Sequence, residues 1–310
     1  MVNSASDASR RSQVKPGARR QQGRLKRITG FDWFVNISAA LIGISMVYPL
    51  LHILALSLST ANTVNLPGLH IIPKEFSWEG YRFILDSSYI WSGYKNTIIR
   101  VVATTALGLL VTMGYAYPLA KKKLPGRTAL TLFIVVTMFA SGGLIPHYLN
   151  IKNLGLLNSY WALILPLLAK PFYIIIMRNF FMGIPEELEE AAEMDGANAI
   201  HILFRIIVPV SMPVIMTISL WTIVDQWNRW FDALIYITDP AKYVLQVVLR
   251  RIIFESSVEI TGANLVERAV VSSEVVKNAT IIVATLPILM VYPFIQKYFV
   301  KGVMMGSLKG

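Results

Sequence analysis

Six apolar stretches, each close to the roughly twenty residues a membrane span needs, leave this chain few ways to fold. They run at about Trp33–Leu58, Thr97–Ala120, Thr128–Tyr148, Tyr160–Met182, Ile206–Val224 and Asn278–Val300. Hydrocarbon offers no partner to exposed backbone N–H and C=O groups, so each crossing segment must be a helix. Composition agrees: 15% of residues are charged, against about 25% in an ordinary soluble domain. The fold class expected is all-α, a polytopic membrane protein with six transmembrane helices.

Charge then says which way the chain lies. There are 29 Lys and Arg against 18 Asp and Glu, an excess that in a polar protein can mark nucleic-acid binding. Here no Lys-rich polar surface is available, and residues 1–31 form a polar arm with Arg10, Arg11, Lys15, Arg19, Arg20, Arg24, Lys26 and Arg27 against Asp7 alone. That composition argues for disorder. The apolar run that follows is too long for a signal peptide and starts too late. After the second stretch stand Lys121, Lys122, Lys123 and Arg127; after the third only Lys152. The positive-inside rule therefore puts both termini in the cytoplasm, and membrane lipid, not nucleic acid, is the partner of the basic arm.

The chain divides into the arm (1–31), a first span (32–59), an outer loop (60–95), a core (92–298) and a short cytoplasmic tail (299–310). Within the core lie an inner hairpin (184–206) and an outer loop (225–277). With no cysteine, thiol chemistry and Cys-bound zinc are excluded. There is no phosphate-binding G-x-x-x-x-G-K-[ST] loop and no H-E-x-x-H pair; His52, His70, His147 and His201 are scattered. No catalytic residue, metal or cofactor is expected, and the protein is not an enzyme in itself.

The inner hairpin is the most informative segment. It begins Pro185-Glu186-Glu187-Leu188-Glu189-Glu190, a good helix start, since proline suits the first turn and acidic side chains complement the positive end of the helix dipole. Ala191 and Ala192 are small enough for another surface to approach the backbone. Gly196 permits a positive φ and so a turn into a second helix, Ala197–Arg205. Composition alone would allow a solvated connector. The spacing is more specific: Glu190-Ala191-Ala192, then Asp195-Gly196-Ala197, then Ile206, Val208 and Pro209. It resembles the EAA motif of bacterial ABC-importer permeases, with Val208 where Leu is commonest.

Six spans with this loop between the fourth and fifth resemble the MalG-like permease subunits of carbohydrate importers, with the type I ABC importer (MetI-like) fold. The resemblance covers about Ser59–Gly310. It implies a second, MalF-like permease, a cytoplasmic ABC ATPase dimer, an extracytoplasmic substrate-binding protein and a carbohydrate substrate, in a bacterial cytoplasmic membrane. It further implies that the hairpin is a coupling helix seated in the ATPase, with Glu190 as anchor and Gly196 as bend, and Ala191, Ala192, Asp195, Ala197 and Pro209 completing the motif. Trp227-Asn228, followed by aromatics and by Tyr243, Leu245 and Gln246, narrows the resemblance to the LplC/YtcP branch, whose members are usually assigned to complex or acidic oligosaccharides. The loop from Asp225 to Lys277 is implied to reach toward the binding protein.

Three residues are candidates for the substrate path: Lys170, Trp227 and Asn228. A lysine in the middle of a span must face the bundle interior or a wet cavity, and Pro171 beside it should kink the helix. Lys170 then either lines the path or makes an internal ion pair or a hydrogen bond to a freed carbonyl. Both readings stay open. For the tryptophans, the plain alternative is an aromatic belt at headgroup level, and Arg100 and Asp225 are expected at the interface. An importer of peptides or another small solute is the nearest alternative function. An ion-coupled secondary transporter is further off, because it would call for inverted repeats and intramembrane carboxylates.

Overall fold

The computed structural model describes residues 30–255 and 273–307, which are helical with no strand among them. The basic arm and residues 256–272 of the outer loop lie outside the described residues. The part of the chain before Pro49 groups apart from a compact unit of Pro49 onward. Helix α1, Gly30–Ser57, is apolar all round and exposes Trp33, Phe34, Leu41, Ile44 and Met46, as a lipid-facing helix does.

In the second unit the central rod is α3, Ser88–Ala120, which follows the short α2, Glu79–Leu85. It packs on α7, Pro171–Met182, on α11, Met212–Asn228, and on α13, Leu245–Glu255. Around its first half sits one apolar core with Ile90, Leu163, Tyr236, Leu245 and Val248. Around its second half sits another with Ala116, Met177, Phe181, Ile202, Ile207 and Ile218. Gly93 makes the first contact possible: a Cβ there would lie 3.1 Å from Leu245 Cα. The side chain of Asn96 donates to the Ala241 and Tyr243 carbonyls and Thr97 Oγ1 accepts from Leu245 N–H, so α13 is pinned to α3 backbone to side chain.

Three of the expected spans are not single rods. The third is α4, Arg127–Phe139, and α5, Leu144–Asn153, at 110°; Gly143 between them has φ +80°, which a helix cannot continue through. The fourth is α6, Tyr160–Ile164, with a 3₁₀ turn to Leu167, then α7 at 46°. Pro171 forces Lys170 into an extended conformation (φ −98°, ψ 108°), as the residue before a proline prefers. The fifth was expected to start at Ile206. Instead Ile206–Val210 still belong to the inner hairpin, whose second helix (α9, Ala199–Ile202, continuing through a π turn into α10, Val208–Val210) meets α11 at 83° across Ser211. Pro209 cannot donate to the Arg205 carbonyl, and the turn just before it widens to π geometry over Leu203–Ile207, a known relief for such a mismatch. Among the described residues, only α1 and α3 are by themselves long and apolar enough to cross a membrane; counting each bent pair as one span brings the number to five.

The sixth stretch lies within α14, Ser273–Ser307, which contains Pro287. That proline leaves the Val283 carbonyl without its helical donor. Tyr94 O–H donates to Val283 O, and Trp227 Nε1–H donates to the neighbouring Ala284 O at 3.1 Å. The described part of the expected outer loop is also largely helical: α11 runs on to Asn228, and α12, Phe231–Tyr236, precedes α13. Tyr94→Phe should cost about 1 kcal/mol of stability, the net worth of one such hydrogen bond, read as a lowered Tm in detergent. In a Pro287→Ala background, where the helix supplies its own donor, the cost should nearly vanish. An equal cost in both backgrounds would show that the hydroxyl does not serve the freed carbonyl.

Candidate functional site

The EAA segment folds as local chemistry dictates. Helix α8, Glu187–Met194, ends with Gly196 N–H donating to Glu193 O and Ala197 N–H to Ala192 O at 2.9 Å. This is the double bond of a Schellman cap, and it needs a left-handed residue; Gly196 supplies it at φ +83°. The pairing fixes the spacing Ala192, Gly196, Ala197. Asn198 then caps α9, its side chain accepting from His201 N–H at 2.9 Å. Pro209 sits in the π-relieved turn that leads to the hinge. Glu190, Ala191, Asp195 and Gly196 are exposed, Ala192 is buried, and Leu188, Ile200, Phe204 and above all Met194 (88% exposed) present apolar side chains outward.

What holds the hairpin was not visible in the motif. Glu189 accepts a hydrogen bond from Tyr117 O–H at 3.1 Å and pairs with Lys121. Lys121 lies over the Tyr117 ring, 4.4 Å from its centroid. Lys122 pairs with Glu186 at 2.9 Å, and that hydrogen bond pulls the exposed Glu186 carboxyl below the usual carboxylate range. Arg127 and Arg178 both donate to Leu119 O at 3.0 Å, two cations on the carbonyl end of α3, where the helix dipole favours them. The basic loop that set the topology thus also binds the acidic face of α8. Glu187 and Glu190 lie on a different side.

At the other end of α3 the charges form a second cluster. Arg100, expected at an interface, is fully buried (0% exposed). It donates to Gln226 Oε1 at 3.0 Å and Arg229 O at 3.1 Å, and pairs with Asp232. Asp225, also expected at an interface, lies inside α11 and binds Lys170 at 2.7 Å and Arg229 at 3.1 Å. Helix α3 begins before the expected second span and α11 runs past the expected end of the fifth, so both side chains meet partners on neighbouring turns of the bundle. For Lys170 the internal ion pair is what the structure contains. Trp227 is 6% exposed, leans on Tyr94 with ring centroids 6.1 Å apart, and belongs to the core, not to an aromatic belt. Asn228 is exposed, its amide bound to Val224 O at 2.9 Å. Lys170 binds Asp225 and Asn228 lines the same recess as Asp225, while Trp227, two residues on from Asp225 in α11, is turned to the core. Among the described residues no three His, Asp or Glu group together as metal ligands.

Comparison with known proteins bears on the whole arrangement. Residues 128–305 match the model of the binding-protein-dependent transport system inner membrane component family. Over 87% of its length the chain is 42% identical to protein LplC of Bacillus subtilis (strain 168), covering 91% of that protein. It is 40% identical, over 90% of its length and 98% of the relative, to the polygalacturonan/rhamnogalacturonan transport system permease protein YtcP of the same strain. A solved bacterial ABC transporter involved in import of the acidic polysaccharide alginate has a chain that superposes with a TM-score of 0.80. That chain is 31% identical, with 87% of this chain and 98% of that one covered. The described helices therefore have the MetI-like permease fold, and the chain belongs to the family of binding-protein-dependent transport system inner membrane components.

Proposed function

We propose that this chain is one of two permease subunits of an ATP-driven importer, forms half of the transmembrane path for an oligosaccharide, and couples to a cytoplasmic ATPase dimer through the hairpin 184–206. An acidic oligosaccharide is the preferred cargo, in line with the polygalacturonan/rhamnogalacturonan and alginate transporters it resembles. The single observation that carries the coupling role is the hairpin's two-sidedness. Glu186 and Glu189 are bound by the chain's own lysines, while Glu190, Leu188, Met194 and Ile200 stay exposed. Apolar side chains around an exposed carboxylate suit a protein cleft better than water.

In this reading the bent pairs are membrane spans, α14 is the sixth, and both termini lie inside with the hairpin. The MalF-like partner subunit covers exposed apolar faces of the bundle, and the binding protein docks at the opposite side, near α12 and α13. Lys170 and Asn228 border the path, and Trp227 supports its wall. Asp225 is a carboxylate inside a helix, which an ion-coupled transporter would use. Here it is neutralised twice over by Lys170 and Arg229, which leaves it poorly suited to taking up a proton or sodium ion.

Glu190→Ala and Gly196→Val should both leave insertion and assembly of the complex intact while cutting oligosaccharide uptake per ATP hydrolysed by about tenfold or more. For Gly196→Val the cause is a left-handed φ, which costs a residue with a Cβ roughly 1–2 kcal/mol. Reconstituted vesicles with binding protein and ATP give both rates, and full uptake by both variants would end the coupling assignment. The Lys121–Glu189 pair makes a second test. Lys121→Glu and Glu189→Lys should each lower uptake several-fold, about the worth of a partly buried ion pair, and the double exchange should recover most of it. A double variant as poor as the sum of the two losses would mean the pair does not hold the hairpin.

A further inference from the structure

Lys170 and Arg229 converge on a single carboxylate, Asp225, at 2.7 and 3.1 Å, and Arg100 beside them is matched by Asp232. The cluster thus holds three cations and two carboxylates, one positive charge in excess. Lys170, Asp225 and Arg229 are 22, 33 and 35% exposed, too open for a dry internal pair. Charged groups at membrane depth do not face lipid, so their open side faces the path or the partner subunit. Beside Asp225 and Arg229 a recess of about 280 Å³ opens, lined also by Val224, Asn228, Trp230 and Phe231; Lys170 is outside this lining and reaches Asp225 directly. Arg250 stacks on Trp230, 3.5 Å from the ring centroid, adding a further cation beside it.

Arg229 is under-used. Only its terminal NH2 nitrogen reaches Asp225, and its buried Nε–H has no hydrogen-bond partner. A guanidinium binds a carboxylate best through two parallel N–H donors, and leaving one buried donor unmade is costly. Around the cations stand flat aromatic surfaces: Trp230 edge-on to Phe231, and Phe172, Tyr173 and Trp221 mutually packed with centroids 5.9–6.2 Å apart, Lys170 lying 5.0 Å over Tyr173. Excess positive charge, an unfilled donor and aromatic faces together describe a site for an anion carried on an apolar-faced ring.

We infer that Lys170 and Arg229 form a binding site for the carboxylate of a uronic-acid residue in transit, with Asp225 as the internal competitor for the same two cations. The incoming carboxylate displaces Asp225, and the return of Asp225 releases it. A path needs binding strong enough to admit its cargo and weak enough to let it go; a tethered competitor supplies the second half. This specificity determinant rests on the oligosaccharide-importer reading.

The test uses the complete complex with its binding protein in vesicles. Uptake is measured for trisaccharides of galacturonate, mannuronate and guluronate beside the neutral galactose and mannose trisaccharides. The expected result is uptake of at least one uronate, with kcat/KM falling about tenfold or more in Lys170→Met and in Arg229→Gln, the worth of one charge-assisted hydrogen bond. Asp225→Asn should lower KM and kcat together, because substrate is held longer. The double variant Lys170→Met/Asp225→Asn separates this from a structural pair. It restores charge balance, so assembly and ATPase activity recover, yet uronate uptake stays low. Wild-type uptake in that double variant would overturn the inference, as would uptake of neutral trisaccharides only, which leaves the importer reading standing. A complex that imports neither class fails the importer reading and this inference with it.

Discussion

Backbone groups inside a membrane must be paired by the protein itself, and much of this structure follows from the places where proline or glycine breaks that pairing. Pro171, Pro209 and Pro287 each withdraw a donor from the carbonyl four residues earlier, and each is answered differently. At Pro287, Tyr94 and Trp227 donate to the carbonyls of Val283 and Ala284. At Pro209, the preceding turn widens to π geometry. At Pro171 the helix simply stops and restarts, which leaves Lys170 extended at the bend. A charged side chain is available to the bundle interior because the helix carrying it is broken there. The irregular backbone and the charged cluster are one feature.

The helix–turn–helix of the hairpin was legible in sequence because its determinants are local. A Schellman cap sets the offsets of Ala192, Gly196 and Ala197 within six residues, and a capping asparagine follows. Pro171 announced its kink for the same reason. The limits of the fifth span were not legible. Ile206–Val210 are as apolar as the helix beyond them, and hydropathy cannot tell an apolar turn that closes an inner hairpin from one that enters the bilayer. Gly142-Gly143 in the third stretch carried a signal for a break, but a long apolar run masks it.

The pairings that hold the molecule together were out of reach because their partners are remote in the chain. Glu189 meets Tyr117 and Lys121, Lys170 meets Asp225, and Arg100 meets Asp232 across 132 residues. The lysines after the second stretch were read only as a topology signal. Their second use, neutralising the acidic face of α8, becomes apparent once α3 and the hairpin are brought side by side. The partners of Arg100 and Asp225 were hidden for a related reason: α3 begins earlier and α11 ends later than the apolar runs that announce them.

Helix α11 ties the two charged clusters into one device. It starts at Ser211, where the hairpin turns through 83°, and its 17 residues form a rod of about 25 Å that carries Asp225 near the far end. Helix α7 runs beside it, with Arg178 on the α3 terminus near the hairpin and Lys170 at the other end, on Asp225. One helix thus joins the corner at Ser211 to the carboxylate that holds Lys170 and Arg229. At that corner the Ser211 hydroxyl is buried without a hydrogen-bond partner, while its N–H donates to the Ile207 and Val208 carbonyls at 2.9 and 3.1 Å. The link between the proposed ATPase contact and the proposed substrate contact is therefore a single helix, with a sharp backbone-bonded corner at one end and the Lys170–Asp225–Arg229 ion pairs near the other.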